Sequence, residues 1–249
     1  MLLSITEKCR MGCSHCMDDA RPDCDKFMTK EMFEKAIEFN YKYDKTLTIT
    51  GGEPTEHPQF WEFMKILAER MTSSQVCTIA TNGMNLSDDD ISKVKKLRKY
   101  KGEILFQVSS IPPYYPIQIN LNQMIFRRSE FYVSRRLEKL EPRGRAANHP
   151  EWNFNAIAPQ CFNLRSFMRT TKDFSESING LRNSLKFCTP QIAYDGSLKV
   201  GESTLCPVVA HIEDSEQEIV RKICSFRCSE CNHLLLKLPA LYRQAIGEE

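Results

Sequence analysis

Cys9, Cys13 and Cys16, in the run Cys-Arg-Met-Gly-Cys-Ser-His-Cys, are the residues most able to do chemistry in this chain. Three thiols separated by three and then two residues sit on a loop short enough to turn its sulfurs to one side, where they can wrap a compact metal centre. An iron–sulfur cubane normally takes four thiolates, and a structural zinc takes four nitrogen or sulfur donors. Three protein ligands therefore leave one coordination position open, and an open position is where a cofactor or substrate binds. The alternative is a zinc knuckle with His15 as the fourth ligand, although His15 lies between two of the cysteines and would have to fold back.

A second group of thiols lies near the other end: Cys188, Cys206, Cys228 and Cys231. Asp195-Gly196 between apolar runs is a hairpin signal. A hairpin there would bring Cys188 and Cys206 together at its open end, where the Cys-x2-Cys pair can complete four ligands. Four sulfurs suit an iron–sulfur cluster or a structural zinc. Cys224 can replace one of them, and Cys161 is a more distant spare. Cys24, Cys77 and Cys161 read otherwise as ordinary buried or spare thiols.

The elements that must position these groups alternate regularly. Leu2 to Thr6 is a short apolar strand ending at the cysteine loop. Thr29 is a plausible N-cap for a helix with Phe33, Ala36, Ile37 and Tyr41 on its apolar face. Thr46 to Thr50 is a strand that stops at Gly51-Gly52, and His57-Pro58 opens a helix with Phe60, Phe63, Met64, Leu67 and Met71 inward. Val76 to Ala80 is a third strand. It is followed by the turn Thr81-Asn82-Gly83 and a capping box at Ser87-Asp88-Asp89-Asp90 before Ile91, Val94 and Leu97. Glu103 to Ser109 is a fourth strand. Such alternation specifies an α/β fold of parallel βα units, whose reactive groups gather beyond the C-terminal ends of the strands. After Ser110, Ile111-Pro112-Pro113-Tyr114-Tyr115-Pro116 breaks the regularity, so short or missing helices are expected there.

Other residue types can also do chemistry. Glu53 follows two glycines whose missing side chains would let a ligand approach the backbone. Asn82 reads as a turn residue. Lys93, Lys95, Lys96, Arg98, Lys99 and Lys101 share a helix with an apolar face and read as its solvated side. Among Arg127, Arg128, Arg135, Arg136, Arg143 and Arg145, one can pair with a carboxylate of a cofactor or substrate. His57, His149, His211 and His233 have no partners at ligand spacing and read as structural.

The 34 basic and 32 acidic residues nearly cancel, which argues against a nucleic-acid surface. Eleven cysteines, odd in number and clustered, speak for thiolate–metal chemistry in a reducing compartment rather than a disulfide framework. The N-terminus lacks a basic n-region, and no run of about eighteen apolar residues occurs. A cytoplasmic protein without a membrane span is expected.

Cys9, Cys13 and Cys16, together with Gly51-Gly52-Glu53-Pro54, resemble the Cys-x3-Cys-x2-Cys loop and GGEP segment of the radical S-adenosylmethionine (SAM) superfamily. The resemblance implies a partial barrel of about six βα units and a [4Fe–4S] cluster whose unique iron is chelated by SAM. It also implies reductive cleavage of SAM to a 5′-deoxyadenosyl radical that takes a hydrogen atom from a substrate. It places Gly51, Gly52 and Glu53 at the SAM amino group and His15 near the adenine; Ser109, at the end of the fourth strand, is a candidate ribose contact or a capped strand end. Pro142-Arg143-Gly144-Arg145-Ala146 resembles the segment that ends such barrels, and the spacing Cys-x12-Gly-x4-Cys with a later Cys-x2-Cys resembles the Twitch form of the SPASM/Twitch domain. The implied organisation is a barrel over residues 1–150, then an auxiliary-cluster domain and C-terminal helix over 151–249 with one auxiliary [4Fe–4S] cluster on Cys188, Cys206, Cys228 and Cys231. The implied function is that of an oxidoreductase acting on a peptide or small molecule, with an electron donor such as flavodoxin or ferredoxin. Two rivals remain: a redox-neutral radical SAM enzyme (an epimerase or cross-linking maturase), and a non-enzymatic zinc-binding interaction module.

Overall fold

The computed structural model describes residues 1–110, 115–134, 144–149, 190–199 and 207–225. Cys161, Cys188, Cys206, Cys228, Cys231, Arg135, Arg136, Arg143 and His233 lie outside them.

Alternating burial builds a parallel sheet. In β2 (Thr46–Thr50), Leu47 and Ile49 turn inward, and in β4 (Glu103–Ser109), Ile104, Phe106 and Val108 do so. With β1 (Leu2–Ser4), β3 (Val76–Thr81) and β5 (Phe131–Ser134), these strands lie in the order β5-β4-β3-β2-β1. Every pairing among these five strands is parallel: Leu3 faces Ile49, Leu47 faces Cys77, Ile79 faces Phe106, and Val108 faces Val133. Parallel neighbours need crossovers, which helices supply from β1 through β4.

Helix α1 (Lys30–Tyr43) starts where Thr29 accepts a hydrogen bond from the Met32 amide at 3.2 Å, and buries Phe33, Ala36 and Ile37. Helix α2 (Phe60–Arg70) buries Phe60, Phe63, Met64 and Leu67, and Phe63 stacks on Phe33 with ring centroids 4.2 Å apart. It begins two residues later than the His57-Pro58 start expected from sequence. Pro54–Glu56 forms its own 3-10 turn, and His57 has an extended backbone, ψ 128°, that cannot continue into a helix. The short helix α3 (Ile91–Leu97) follows the capping box, in which the Ser87 amide donates to Asp90 at 3.2 Å. Lys95, Lys96, Arg98, Lys99 and Lys101 are exposed, while Lys93 pairs with Asp90 at 2.8 Å and lies over the Trp61 ring. Between β4 and β5 the described residues hold a 3-10 turn, Met124–Arg127, and no α-helix.

The chain divides into two compact units, Met1–Asn155 with Ile192–Gly196, and Ala156–Gln191 with Ser197–Glu249. In the first, beyond the short strand β6 (Gln191–Ile192), Ala193 to Gly196 close the turn that Asp195-Gly196 announced, with Gly196 at φ 82° and its amide donating to the Ala193 carbonyl at 2.9 Å. In the second, β7 (Ser197–Lys199) pairs antiparallel with β8 (Val208–His211), with a register shift between Leu198 and Lys199. Helix α4 (Glu216–Ser225) follows and buries Ile219. Among the described residues no helix is long and apolar enough to cross a membrane.

Candidate metal and cofactor site

Residues 5–9 leave β1 and run beside two other segments. On one side, the Met28 amide donates to the Ile5 carbonyl at 2.8 Å and the Cys9 amide to the Arg21 carbonyl at 3.0 Å, so residues 21–28 fold back along the approach to the thiol loop. On the other side lies the turn after β2, where the Gly52 amide donates to Thr6 and the Glu53 amide to Lys8, both at 2.7 Å. A Cβ on Gly51 would lie 2.3 Å from the Thr6 carbonyl oxygen, and one on Gly52 2.1 Å from that of Lys8. Sequence reasoning left the space over these glycines to a ligand. On the faces where their Cβ atoms would stand, the structure instead packs the protein's own backbone, Thr6 to Lys8. Gly51 also has φ 141°, a conformation side chains resist.

Two further contacts hold the loop from above. The Arg10 amide donates to Glu56 at 2.9 Å, and its guanidinium reaches Glu56 and Asn85. The Asn82 side-chain amide donates to the Cys9 sulfur at 3.7 Å, and its carbonyl accepts the Met84 amide at 2.9 Å. Asn82 is therefore a turn residue, as its sequence context indicated, and also a donor to a thiol sulfur, which that context did not reveal. Its place directly after a strand's C-terminal end was the available signal.

Glu53 is buried and surrounded by donors. Its carboxylate accepts from the Thr55 amide at 3.1 Å, the Thr55 and Thr81 hydroxyls at 2.6 Å each, and the Asn82 amide at 2.6 Å. Burial pushes its carboxyl above the ordinary value, while the donors pull the other way. All four partners donate, and Thr81 already accepts from the Gly83 amide. This surround suits the ionised form.

The three thiols are free of disulfides. Burial pushes Cys9 up to about 11, with Glu53, Glu56 and Cys16 adding to it. Cys13 is pushed up to about 12, first by burial and then by Cys9 and Cys16, against the opposing Arg145. The sulfurs thus feel one another, although among the described residues no three His, Cys, Asp or Glu side chains converge as a ready-made metal site. The donor set fits an iron–sulfur centre, because a cationic cluster offsets the desolvation and mutual repulsion that keep these thiols protonated.

His15, also buried, meets Tyr115 edge-on with ring centroids 5.0 Å apart. Burial pushes the Tyr115 phenol up to about 12, and a hydrogen bond with Ser109 opposes this. Tyr115 thereby joins His15 on the thiol loop to Ser109 at the end of β4, a link that sequence reasoning missed inside the proline-rich break. His57 is structural, as expected: its Nε2 contacts the Met28 carbonyl at 2.9 Å, its Nδ1 accepts the Gln59 amide, and its ring packs on Phe27 and Phe63. Among the arginines, Arg128 pairs with Glu130 at 2.8 Å and Arg127 is exposed, whereas Arg145 reaches the thiol loop.

Residues 3–125 match the model of the Radical SAM superfamily. The chain is 24% identical over 140 residues to a probable GTP 3′,8-cyclase of Pyrococcus horikoshii, covering 48% of this chain and 45% of that protein. It is 31% identical over 91 residues to the GTP 3′,8-cyclase of Haemophilus influenzae (35% and 27%). The chain thus spans less than half the length of these curated relatives. Among solved structures, it is similar in fold to BtrN in complex with AdoMet and 2-DOIA, with a TM-score of 0.55, 11% identity and coverage of 98% of this chain and 87% of that one. It is also similar to anSMEcpe with bound AdoMet, with a TM-score of 0.53, 14% identity and coverage of 91% and 80%.

Proposed function

We propose that this chain, whose residues 3–125 match the Radical SAM model, is a radical SAM oxidoreductase that takes a hydrogen atom from a peptide or small molecule and passes an electron onward. The observation that carries the reading is convergence: Thr6 and Lys8, which lead into the loop of Cys9, Cys13 and Cys16, are hydrogen-bonded to the turn after β2, and Cys9 is hydrogen-bonded to Asn82 after β3. Three separated segments thus meet beyond the C-terminal ends of parallel strands, where such folds place their chemistry.

In this reading Cys9, Cys13 and Cys16 hold a [4Fe–4S] cluster and leave one iron for SAM. When bound, cluster and SAM supply a 5′-deoxyadenosyl radical. Asn82 donates to the Cys9 sulfur, a contact of the kind that sets cluster potential. Glu53 and the turn at Gly51-Gly52 lie nearest the SAM amino group. The second Glu53 oxygen accepts the Asn82 amide and keeps a lone pair that an ammonium donor can use. His15, Tyr115 and Ser109 form the side for adenine and ribose. Cys188, Cys206, Cys228 and Cys231, in a Twitch-like region over 151–249, carry one auxiliary [4Fe–4S] cluster that accepts the second electron. Flavodoxin or ferredoxin supplies the first, in a cytoplasmic setting.

Anaerobic reconstitution tests this directly. The expected result is roughly eight irons per chain, falling to about four in either Cys13→Ala or Cys228→Ala, with deuterium from the true substrate appearing in 5′-deoxyadenosine. Zinc in place of iron, or reductive SAM cleavage surviving Cys13→Ala, refutes it. The cyclase relatives favour a second reading, a redox-neutral radical SAM reaction. It is distinguished by a product isomeric with the substrate and no net oxidation.

A further inference from the structure

The thiol loop has a second set of contacts, made by residues 144–146. Arg145 directs its Nε to the Cys13 carbonyl at 2.9 Å and its Nη1 to Asp19 at 3.1 Å, bridging 132 positions of sequence in the first contact. Beside it, the Ala146 amide donates to the Cys16 carbonyl at 3.2 Å. Gly144, at φ 54°, sits so close that a Cβ there would lie 2.7 Å from the Cys16 carbonyl oxygen and 2.8 Å from Met17. Asp19, the far anchor, is the one non-glycine residue with a left-handed backbone among those described, φ 52°, and is also paired with Arg21 at 2.7 Å.

These contacts have a common target. The Cys13 and Cys16 carbonyls belong to ligand residues whose side chains must face a metal, and the amide of Cys16 already closes a turn onto the Cys13 carbonyl at 3.3 Å. The backbone on this side of the loop is satisfied by residues 144–146, from outside the first four βα units. A guanidinium is suited to the task because its rigid fork serves two acceptors at once without rearranging.

We propose that Arg145 is a positioning residue that holds the Cys13–Cys16 half of the loop in its ligating shape before any metal arrives. This rests on the functional reading only in taking the loop as a cluster ligand set. Gly144 permits the approach, and Asp19 fixes the direction of the guanidinium. The Cys9 half is held by other contacts, from its amide to the Arg21 carbonyl and from the Asn82 side chain to its sulfur.

The test uses the full-length, reduced, metal-free chain and alkylation by iodoacetamide, read thiol by thiol by mass spectrometry. Cys77, buried in β3, reports on the fold as a whole. In Arg145→Ala, Cys13 and Cys16 are expected to label about tenfold faster once each rate is divided by its own thiolate fraction from the pH dependence of labelling, since the lost guanidinium also raises the Cys13 thiol; tenfold is the order that losing one charge-assisted hydrogen bond implies, and Cys77 keeps its wild-type rate. Arg145→Lys is expected to behave like the alanine variant, since one ammonium cannot span both acceptors. The proposal is overturned by unchanged rates at Cys13 and Cys16, by acceleration shared equally with Cys77, or by recovery in Arg145→Lys. No iron or SAM enters this measurement, so its outcome is separate from whether the loaded chain cleaves SAM.

Discussion

Gly52→Ala and Gly12→Ala together test whether the glycine turn after β2 is a packing device. In Gly52→Ala the new Cβ stands 2.1 Å from the Lys8 carbonyl oxygen, against about 3.4 Å for ordinary contact, so that backbone must retreat by about 1.3 Å. The neighbouring atoms, Lys8 C at 2.6 Å and Glu7 C at 2.9 Å, are backbone too and cannot swing aside. A retreat of that size stretches the hydrogen bonds from Gly52 to Thr6 and from Glu53 to Lys8 beyond useful length. Two lost bonds at about 1 kcal/mol each, with overpacking of about 1–3 kcal/mol, give about 3–5 kcal/mol. For a chain of this size that lowers Tm by about 10 °C. Gly12 has a left-handed φ of 61° but nothing within 4 Å of its Cβ position, so Gly12→Ala carries only a backbone term of about 1–2 kcal/mol. The assay is thermal unfolding of the metal-free proteins by circular dichroism. If Gly52→Ala melts within about 2 °C of wild type, or Gly12→Ala is the more damaging, the packing argument is wrong.

Glu53→Gln keeps shape but sets an amide N–H against the Asn82 amide, and the loss of a charged acceptor outweighs the relief of a buried charge. It should destabilise by about 2–3 kcal/mol in urea; a variant as stable as wild type would mean that desolvation dominates instead. For His57, burial lowers the imidazole below its ordinary value of 6.5, with the Met28 carbonyl opposing. The folded state therefore keeps a neutral ring while the unfolded chain takes up a proton, and stability falls as pH drops through about 6.5 toward the lower folded value. His57→Gln should lose less stability than wild type between about pH 7.5 and 5.5 in matched urea titrations. Equal losses would show that His57 does not drive the change.

Much of the scaffold could be read locally. Strands Thr46–Thr50 and Glu103–Ser109 match their expected limits because burial alternates in step with the residues. The Thr29 cap and the Ser87 capping box form as their patterns announce, because those bonds close within three residues. The start of α2 was misread because Pro-containing turns at Pro54 and Pro58 offer similar local signals, and only the packing of His57 against Phe27 and Phe63 selects between them.

The sequence by itself determined the donor set: three thiols on one short loop, a glycine pair after β2 and strands alternating with helices, because each is written within a few residues and set by local sterics. Tertiary structure alone decided what surrounds that set. That Gly51 and Gly52 make room for Thr6 to Lys8, that Asn82 reaches the Cys9 sulfur, and that Arg145 clasps the Cys13 carbonyl are contacts between segments 44 to 132 positions apart. No local pattern encodes such pairs, since each partner's own neighbourhood is compatible with many others until the sheet brings the strand ends together.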